Sequence, residues 1–314
     1  MHYLGDQLSD EGLAESVAAT IASRIGKVRG AMYEIRSICE DHRMQVVGGV
    51  LGAIDLWNSC IVPSLLANCS TWTGITANQE KKLEDVQNEM VRALLRLPSS
   101  TPLPALRGAL GLLGMKWRVW QEKLRLVLAI KQQEDNVLAK EVLGEQVDLG
   151  LPGPAADAAN ICRIIGLPNI CTSDVTKRDI KRAILHHHQM SLKQEMKELK
   201  KCKELVNSDL TKPQPYVSYK CLEEVRMALR IQCRMVDCPG NMKGMYVGRM
   251  ECVDCTPWWG SGDDEPPVAT QEHLTICPAF SVFREGMNLD QKHISTDLIR
   301  YFMNVTSARK KNQN

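Results

Sequence analysis

Four residues near the C-terminal end have the types and spacing of a metal site: Cys252 and Cys255, then His273 and Cys277. A Cys-x-x-Cys turn can aim two thiolates at one point. A His and a Cys four positions apart can add two further ligands from one face of a helix. Together they make a Cys3His set. Four soft and borderline ligands with no open position suit a closed, tetrahedral, structural Zn2+ site. The loop between the two pairs is rich in Pro, Gly and Asp, and needs no structure of its own. The competing reading is that these are ordinary buried free cysteines.

Other candidate chemistry is weaker. His186, His187 and His188 are consecutive, so on a helix they point about 100° apart and cannot share one ion. His188 falls on an apolar stripe and reads as a packed, hydrogen-bonded histidine. Gly48, Gly49 and Gly52 follow no strand and sit in a helical pattern, which suggests close helix packing and not a phosphate loop. No activated nucleophile and no metal-binding carboxylate cluster is evident, so the sequence does not read as an enzyme.

The cations form three local groups. Arg226, Arg230 and Arg234 repeat every fourth residue as a ladder on one helix that runs into the cysteine segment. Lys177, Arg178, Lys181 and Arg182 open the most basic element of the chain. Arg118 and Arg125, with Gln121, share one face of another helix. Rows of this kind can neutralise successive phosphates and release counterions. Alternatively, the Arg226 ladder pairs with acids on a neighbouring helix, and the Arg118 face is simply solvated.

The elements that must position these residues are helical. Leu13, Val17, Ile21, Ile25, Val28, Met32 and Ile35 fall in a stripe about 120° wide at helical period. A second helix carries Met44, Val47, Leu51, Ile54 and Ile61, and Pro63 should kink or end it. Thr76–Gln79 has the spacing of a capping box, and the helix it starts should run to Leu97. Pro102 and Pro104 open a short helix. One long helix is expected from Met115 to about Leu143, with Trp117, Trp120, Leu124, Val127, Leu138 and Val142 on one apolar stripe. A further long helix, capped by Ser173 or Asp174, should reach about Val206. The helix holding the arginine ladder buries Leu222, Val225, Leu229 and Val236, and a short C-terminal helix presents Leu298, Ile299 and Phe302. The final Arg309-Lys310-Lys311 reads as solvated. Gly150–Pro154 and Lys212–Tyr216 are the clearest linkers. Residues before the first linker should hold a core of their own, containing Ile21, Ile25, Leu51, Ile54, Leu83, Trp120 and Leu124. Met1–Leu8 fits one loosely held strand. The fold class expected is all-α.

Composition limits the function further. Hydrophobic residues are 44% and charged residues 24%, too apolar for global disorder. Aromatics are 5%, which disfavours an aromatic base-stacking sheet, and a net charge of +2 confines any nucleic-acid binding to local faces. No run reads as a signal peptide or approaches the roughly 20 apolar residues that span a bilayer. Twelve cysteines without such a signal read as reduced thiols of an intracellular protein, nuclear or cytoplasmic. Neither a membrane nor a small-molecule substrate is expected as a partner.

Several segments carry a resemblance. Thr270-Gln271-Glu272-His273-Leu274 followed by Cys277-Pro278 resembles the C-terminal cysteine–histidine segment of non-LTR (LINE-type) retrotransposon reverse transcriptases. So do Arg234-Met235 and Pro239-Gly240-Asn241-Met242-Lys243-Gly244. Tyr3-Leu4-Gly5-Asp6 resembles the family's strand between palm and thumb. Val46–Gly49, Leu56-Trp57 and Ile61–Leu66 resemble its thumb helices, and Leu110–Met115 the helical turn after them. The family's polymerase centre is an aromatic-x-Asp-Asp hairpin plus an earlier Asp, and this chain has no such hairpin. Asp263-Asp264 lie in a polar loop inside the cysteine–histidine segment. Nothing resembles the family's endonuclease.

The resemblance implies a polymerase's C-terminal part without its chemistry. On that reading residues 1–8 are a remnant palm strand, 9–150 a thumb-like helical bundle and 151–216 a basic helical connector. Residues 217–285 are a small zinc-binding module, and 286–314 a C-terminal helix and tail. The implied partners are RNA or an RNA–DNA hybrid, and a separate polymerase subunit. Lys243, in the matched segment, joins the expected nucleic-acid contacts. The alternatives are a helical protein-interaction module and a translated remnant of a mobile element without function.

Overall fold

The computed structural model describes residues 2–3, 6–7, 12–40, 49–97, 100–135, 137–199, 202, 205–219, 221–236, 252, 254–255, 267–289 and 294–313. It describes no side chain at 2, 3, 7, 13, 14, 35–40 and 310–313. The described chain is all-α. Its helices are α1 (Leu13–Glu40), α2 (Gly49–Leu56), α3 (Val62–Leu65), α4 (Ala77–Leu95), α5 (Leu103–Ala109) and α6 (Met115–Lys131), then α7 (Leu138–Asp148), α8 (Pro154–Ile164), α9 (Lys177–Lys197), α10 (Leu222–Gln232), α11 (Gln271–Ile276) and α12 (Thr296–Gln313). The extended segment at the start is an antiparallel pair of two-residue strands, β1 (His2–Tyr3) and β2 (Asp6–Gln7), and not one strand. Asp6 ties it to the bundle: its carboxylate accepts from Arg24 at 2.5 Å and from Asn68 at 3.2 Å.

Local chemistry explains the helix ends. Thr76 and Gln79 form the reciprocal capping box expected of their spacing, and α4 closes at Arg96 in the left-handed conformation. Pro98 and residues 44–48, which carry part of the second predicted helix, lie outside the described residues. Between α2 and α3 the chain widens into one π turn, Trp57–Ile61, where Val62 N–H donates to Trp57 O. Pro63 has no N–H for the carbonyl four residues before it, and its ring would clash there; a wider turn relieves both. The helix is thus re-registered at the proline, not ended. Gly111 sits at φ +63 with the second linker against it. A Cβ there would lie 2.5 Å from the backbone of Lys212 and Pro213, so only glycine fits.

Two long-helix predictions need correction. The chain breaks between α6 and α7, and Asp135 takes the ammonium of Lys140 at 2.6 Å in that break, where Lys140 also caps Gln133 O. α7 then packs on both α6 and α8. Leu138 and Val142 therefore point to solvent instead of continuing the α6 stripe. α9 is capped by Thr176, whose hydroxyl accepts from Asp179 N–H while Asp179 accepts from Thr176 N–H; neither Ser173 nor Asp174 is the cap, and the helix ends at Lys197.

The apolar interior also departs from the linker-defined division. One core unites α1–α5 and the first turn of α6 with the end of α9, α10, α11 and α12. A second joins the rest of α6 (Leu124, Val127, Leu128) to α7, α8 and the start of α9. Leu124 and Trp120 thus belong to the second core and not to that of the preceding helices. Ile180 and Ile184 are in one core while Leu192 and Met196 are in the other, so α9, like α6, spans both.

Candidate metal centre

The described cysteine–histidine residues converge. The ligand atoms of Cys252, Cys255, His273 and Cys277 all lie within 4.8 Å of one another. Cys252 Sγ is 3.8 Å from Cys277 Sγ, and Cys255 Sγ is 3.5 Å from His273 Nε2. A tetrahedral ion with about 2.3 Å bonds to sulfur and about 2.05 Å to nitrogen sets S···S and S···N edges near 3.8 and 3.6 Å. These two separations match those edges, and the three cysteines are fully buried.

Each side of the site is positioned locally. Cys252 and Cys255 flank a turn closed by Cys255 N–H to Cys252 O. Cys252 N–H donates to Pro267 O at 2.8 Å, which brings together the two ends of the intervening loop. The Thr270 hydroxyl caps α11 by accepting from His273 N–H. Cys277 is not on the helix with His273; it is the residue after the last turn, at φ −57 and ψ 126. Pro278 follows, and the residue before proline is pushed to extended geometry, which swings the thiol back toward the cysteine turn. Arg284 donates to Cys277 O at 2.7 Å and holds that carbonyl.

Burial raises the Cys277 thiol to about 12 and raises Cys255 as well, and burial lowers His273. All three shifts resist charge in a pocket without a cation. A divalent ion reverses that balance by taking thiolates and displacing their protons. The four residues are therefore compatible with a metal site as placed. Cys233 stands apart from this set, buried in a thiol pair with Cys202. Cys238, Lys243 and Asp263-Asp264 lie outside the described residues.

The three cation groups differ sharply. Arg226 is buried: its Nε donates to Leu95 O at 2.6 Å, and Nη1 bonds Glu223. Arg234 pairs with Glu272 at 3.1 Å. Arg230, between them, is half-buried. The ladder is thus no free row for phosphates. Only Arg226 and Arg230 are on α10; Arg234 lies past its end at φ 49, so the three do not line one helix. Arg226 fastens α10 to the end of α4, and Arg234 fastens the turn after α10 to α11. Arg118 is half-buried, donating to Leu113 O and to Asn58 Oδ1 at 2.6 Å, and burial lowers its pKa. Arg125 pairs with Glu122 on its own helix. These two line a cleft of about 520 Å³ of mixed character, with Gln121, Asn68 and Ser70 on its polar side and Val62, Pro63 and Leu66 on its apolar side. By contrast, Lys177, Arg178, Lys181 and Arg182 are all exposed, and none is in an ion pair with another described side chain.

His188 is not a ligand. It is 2% exposed, and its Nε2 lies 2.9 Å from Leu112 O. A carbonyl only accepts, so Nε2 carries the proton and Nδ1 is left without a partner. Burial, with Arg107 and Arg118 nearby, holds its pKa down to about 4. Since the unfolded chain takes up this proton first, stability is complete above pH 6.5. It should fall between pH 6.5 and 4 by on the order of 3 kcal/mol, then level off. Urea unfolding of the parent and His188→Gln across that range checks this; the variant should lack this part of the pH dependence.

Asp254 and Arg309 were not singled out from the sequence, yet they form a buried ion pair beside the cluster, at 3.0 Å. The position of Asp254 inside the Cys-x-x-Cys turn was a visible cue; the Arg309 partner was not. Arg309 is thus enclosed, where a solvated tail was expected, because α12 docks through Leu298, Ile299, Phe302 and Val305 up to Arg309 itself. Comparison with family models, curated proteins and solved structures matches none. No described helix is long and apolar enough to cross a membrane.

Proposed function

We propose that the chain is a zinc-stabilised, all-helical nucleic-acid-binding module, related to the C-terminal part of a LINE-type reverse transcriptase and without polymerase chemistry of its own. Zinc is favoured among metals because three thiolates and one imidazole, enclosed and four in number, match its ligand preference and leave no open position for water. Its role is to fix the fold of the C-terminal segment, and RNA is the ligand.

The binding half of this reading rests on one observation: the cations opening α9 oppose the helix they sit on. Lys177 and Lys181, and Arg178 and Arg182, are like charges four residues apart, which disfavours a helix by about 0.2–0.5 kcal/mol per pair. They also lie near its N-terminus, where the macrodipole favours anions. The capping box and the buried Ile180 and Ile184 hold the helix despite them. Asp179, in the same turn, attracts Arg178 and Arg182 and offsets part of this cost. Four cations around one carboxylate still leave a net positive exposed row, which a polyanion would match. A protein partner with an acidic face is the competing reading, and salt separates the two. For RNA, log affinity should fall linearly with log salt. Reversing Lys177, Lys181 and Arg182 to Glu together should weaken binding at least about tenfold and reduce the slope by two to three. Filter binding of a single-stranded RNA across a salt series tests this. An unchanged slope with intact folding would remove α9 as the interface.

A further inference from the structure

The pair Asp254–Arg309 lies against the cysteine–histidine cluster. Its side chains are 10% and 8% exposed. The same Asp254 oxygen that meets Arg309 Nε at 3.0 Å stands 4.0 Å from Cys252 Sγ. Three thiolates on one divalent ion leave a net negative centre, and a bare carboxylate at this distance would repel it in a low-dielectric site. Arg309 cancels that charge. It comes from α12, the last helix, more than fifty positions along the chain from Asp254.

α12 holds the other half of the ligand set too. The Tyr301 hydroxyl donates to Leu274 O, in the helix between His273 and Cys277. Leu298, Ile299, Phe302 and Val305 are buried in the same core as the three ligand cysteines. The helix thus touches the cysteine turn at one end and the histidine helix at the other.

Resting on the zinc reading above, we infer that Arg309 is a positioning residue of the metal centre, and that α12 docks as part of it. Arg309 neutralises and aims the Asp254 turn, so metal affinity depends on the C-terminal helix. Loss of the metal, in turn, removes what holds that helix at its Arg309 end. Partners of this kind around ligands are typically worth about 10–100-fold in metal affinity.

The test is zinc affinity of the full chain, by competition with a chromophoric chelator, together with the Co2+ ligand-field spectrum. Arg309→Ala should bind zinc at least about tenfold more weakly than the parent, and Arg300→Ala, an exposed arginine of the same helix, within about threefold of it. The double variant Asp254→Asn/Arg309→Met leaves neither charge unpaired and should recover to within about threefold. A single Arg309→Ala at parental affinity overturns the inference while leaving the metal site standing. A double variant as weak as Arg309→Ala also overturns it, since packing and not charge would then be at work. Should Arg309→Ala not fold, a folded, zinc-binding double variant supports the pair, and a double that also fails overturns it. A parent chain that binds no zinc removes the metal reading and this inference with it.

Discussion

Replacing Cys277 by Ala should release the metal and unfold the segment from Cys252 through α12, while the second core, around α6, α7 and α8, stays folded. The expected effect is the largest available in this chain. Structural zinc in small modules contributes roughly 10–16 kcal/mol of apparent binding free energy at neutral pH, as much as the total stability of an ordinary domain. The part around the four residues has little regular structure of its own: α11 is six residues long, and the helix-to-extended step at Cys277 interrupts the hydrogen-bond ladder. Apolar packing of α12 on the first core is therefore the main support besides the metal. The α10–α12 contacts and the shared first core mean that the damage should also loosen α10. Metal analysis of the purified parent should give one zinc per chain. Hydrogen exchange of the variant, or of the parent in chelator, should show lost protection over residues 267–309 and retained protection over α6 and α8. Absence of zinc from the parent, or unchanged protection after chelation, would falsify this.

Arg226→Ala should lower the melting temperature and leave the salt dependence of RNA binding where it was. The guanidinium fills a polar niche between α10 and the C-terminal end of α4. Its removal leaves Leu95 O, a carbonyl at a helix end, without this donor in a buried place. An orphaned buried acceptor costs about 1–3 kcal/mol, and loss of the packed aliphatic stem adds to it. A total near 3 kcal/mol is expected, which for a chain of this size corresponds to a drop of roughly 5 °C. Arg226→Lys should recover only part, because an ammonium cannot reproduce the forked contact to Leu95 O and Glu223 together. Thermal melts of the three chains decide the matter. A folded Arg226→Ala with parental stability and a reduced salt slope would return this arginine to the nucleic-acid surface.

The contrast between Arg226 and Lys177 shows where reading a linear pattern stops. Both belong to basic repeats with a spacing of four. Periodicity places residues on a common face, but it does not say whether that face meets solvent or another helix. For α10 the face is enclosed, because the end of α4 and the cysteine–histidine segment pack on it. For the start of α9 it is open, because Ile180 and Ile184 turn the opposite side inward. The break between α6 and α7 was hidden for a similar reason. Apolar residues continue at helical spacing through Val137 and Val142, and only the packing of α7 on α8 shows that the chain has changed direction.

The features readable from the residues alone are local. The convergence of Cys252, Cys255, His273 and Cys277 was legible because a Cys-x-x-Cys turn and a nearby His/Cys pair are short-range devices. The route was not: Cys277 reaches the cluster from beyond the helix, before Pro278, and not from the helical face it was expected to share with His273. The Thr76–Gln79 box, the proline-opened helix at Leu103 and the all-α class followed from the same short-range rules. Which distant groups meet depends on the packing of whole helices. The Asp254–Arg309 pair joins residues far apart in the chain, and its partners are chosen by how α12 lies in the core. The two cores cut across the proline linkers for the same reason. A linker marks where backbone hydrogen bonding pauses, whereas a core forms wherever apolar faces can be excluded from water together, and α6 and α9 are long enough to serve both.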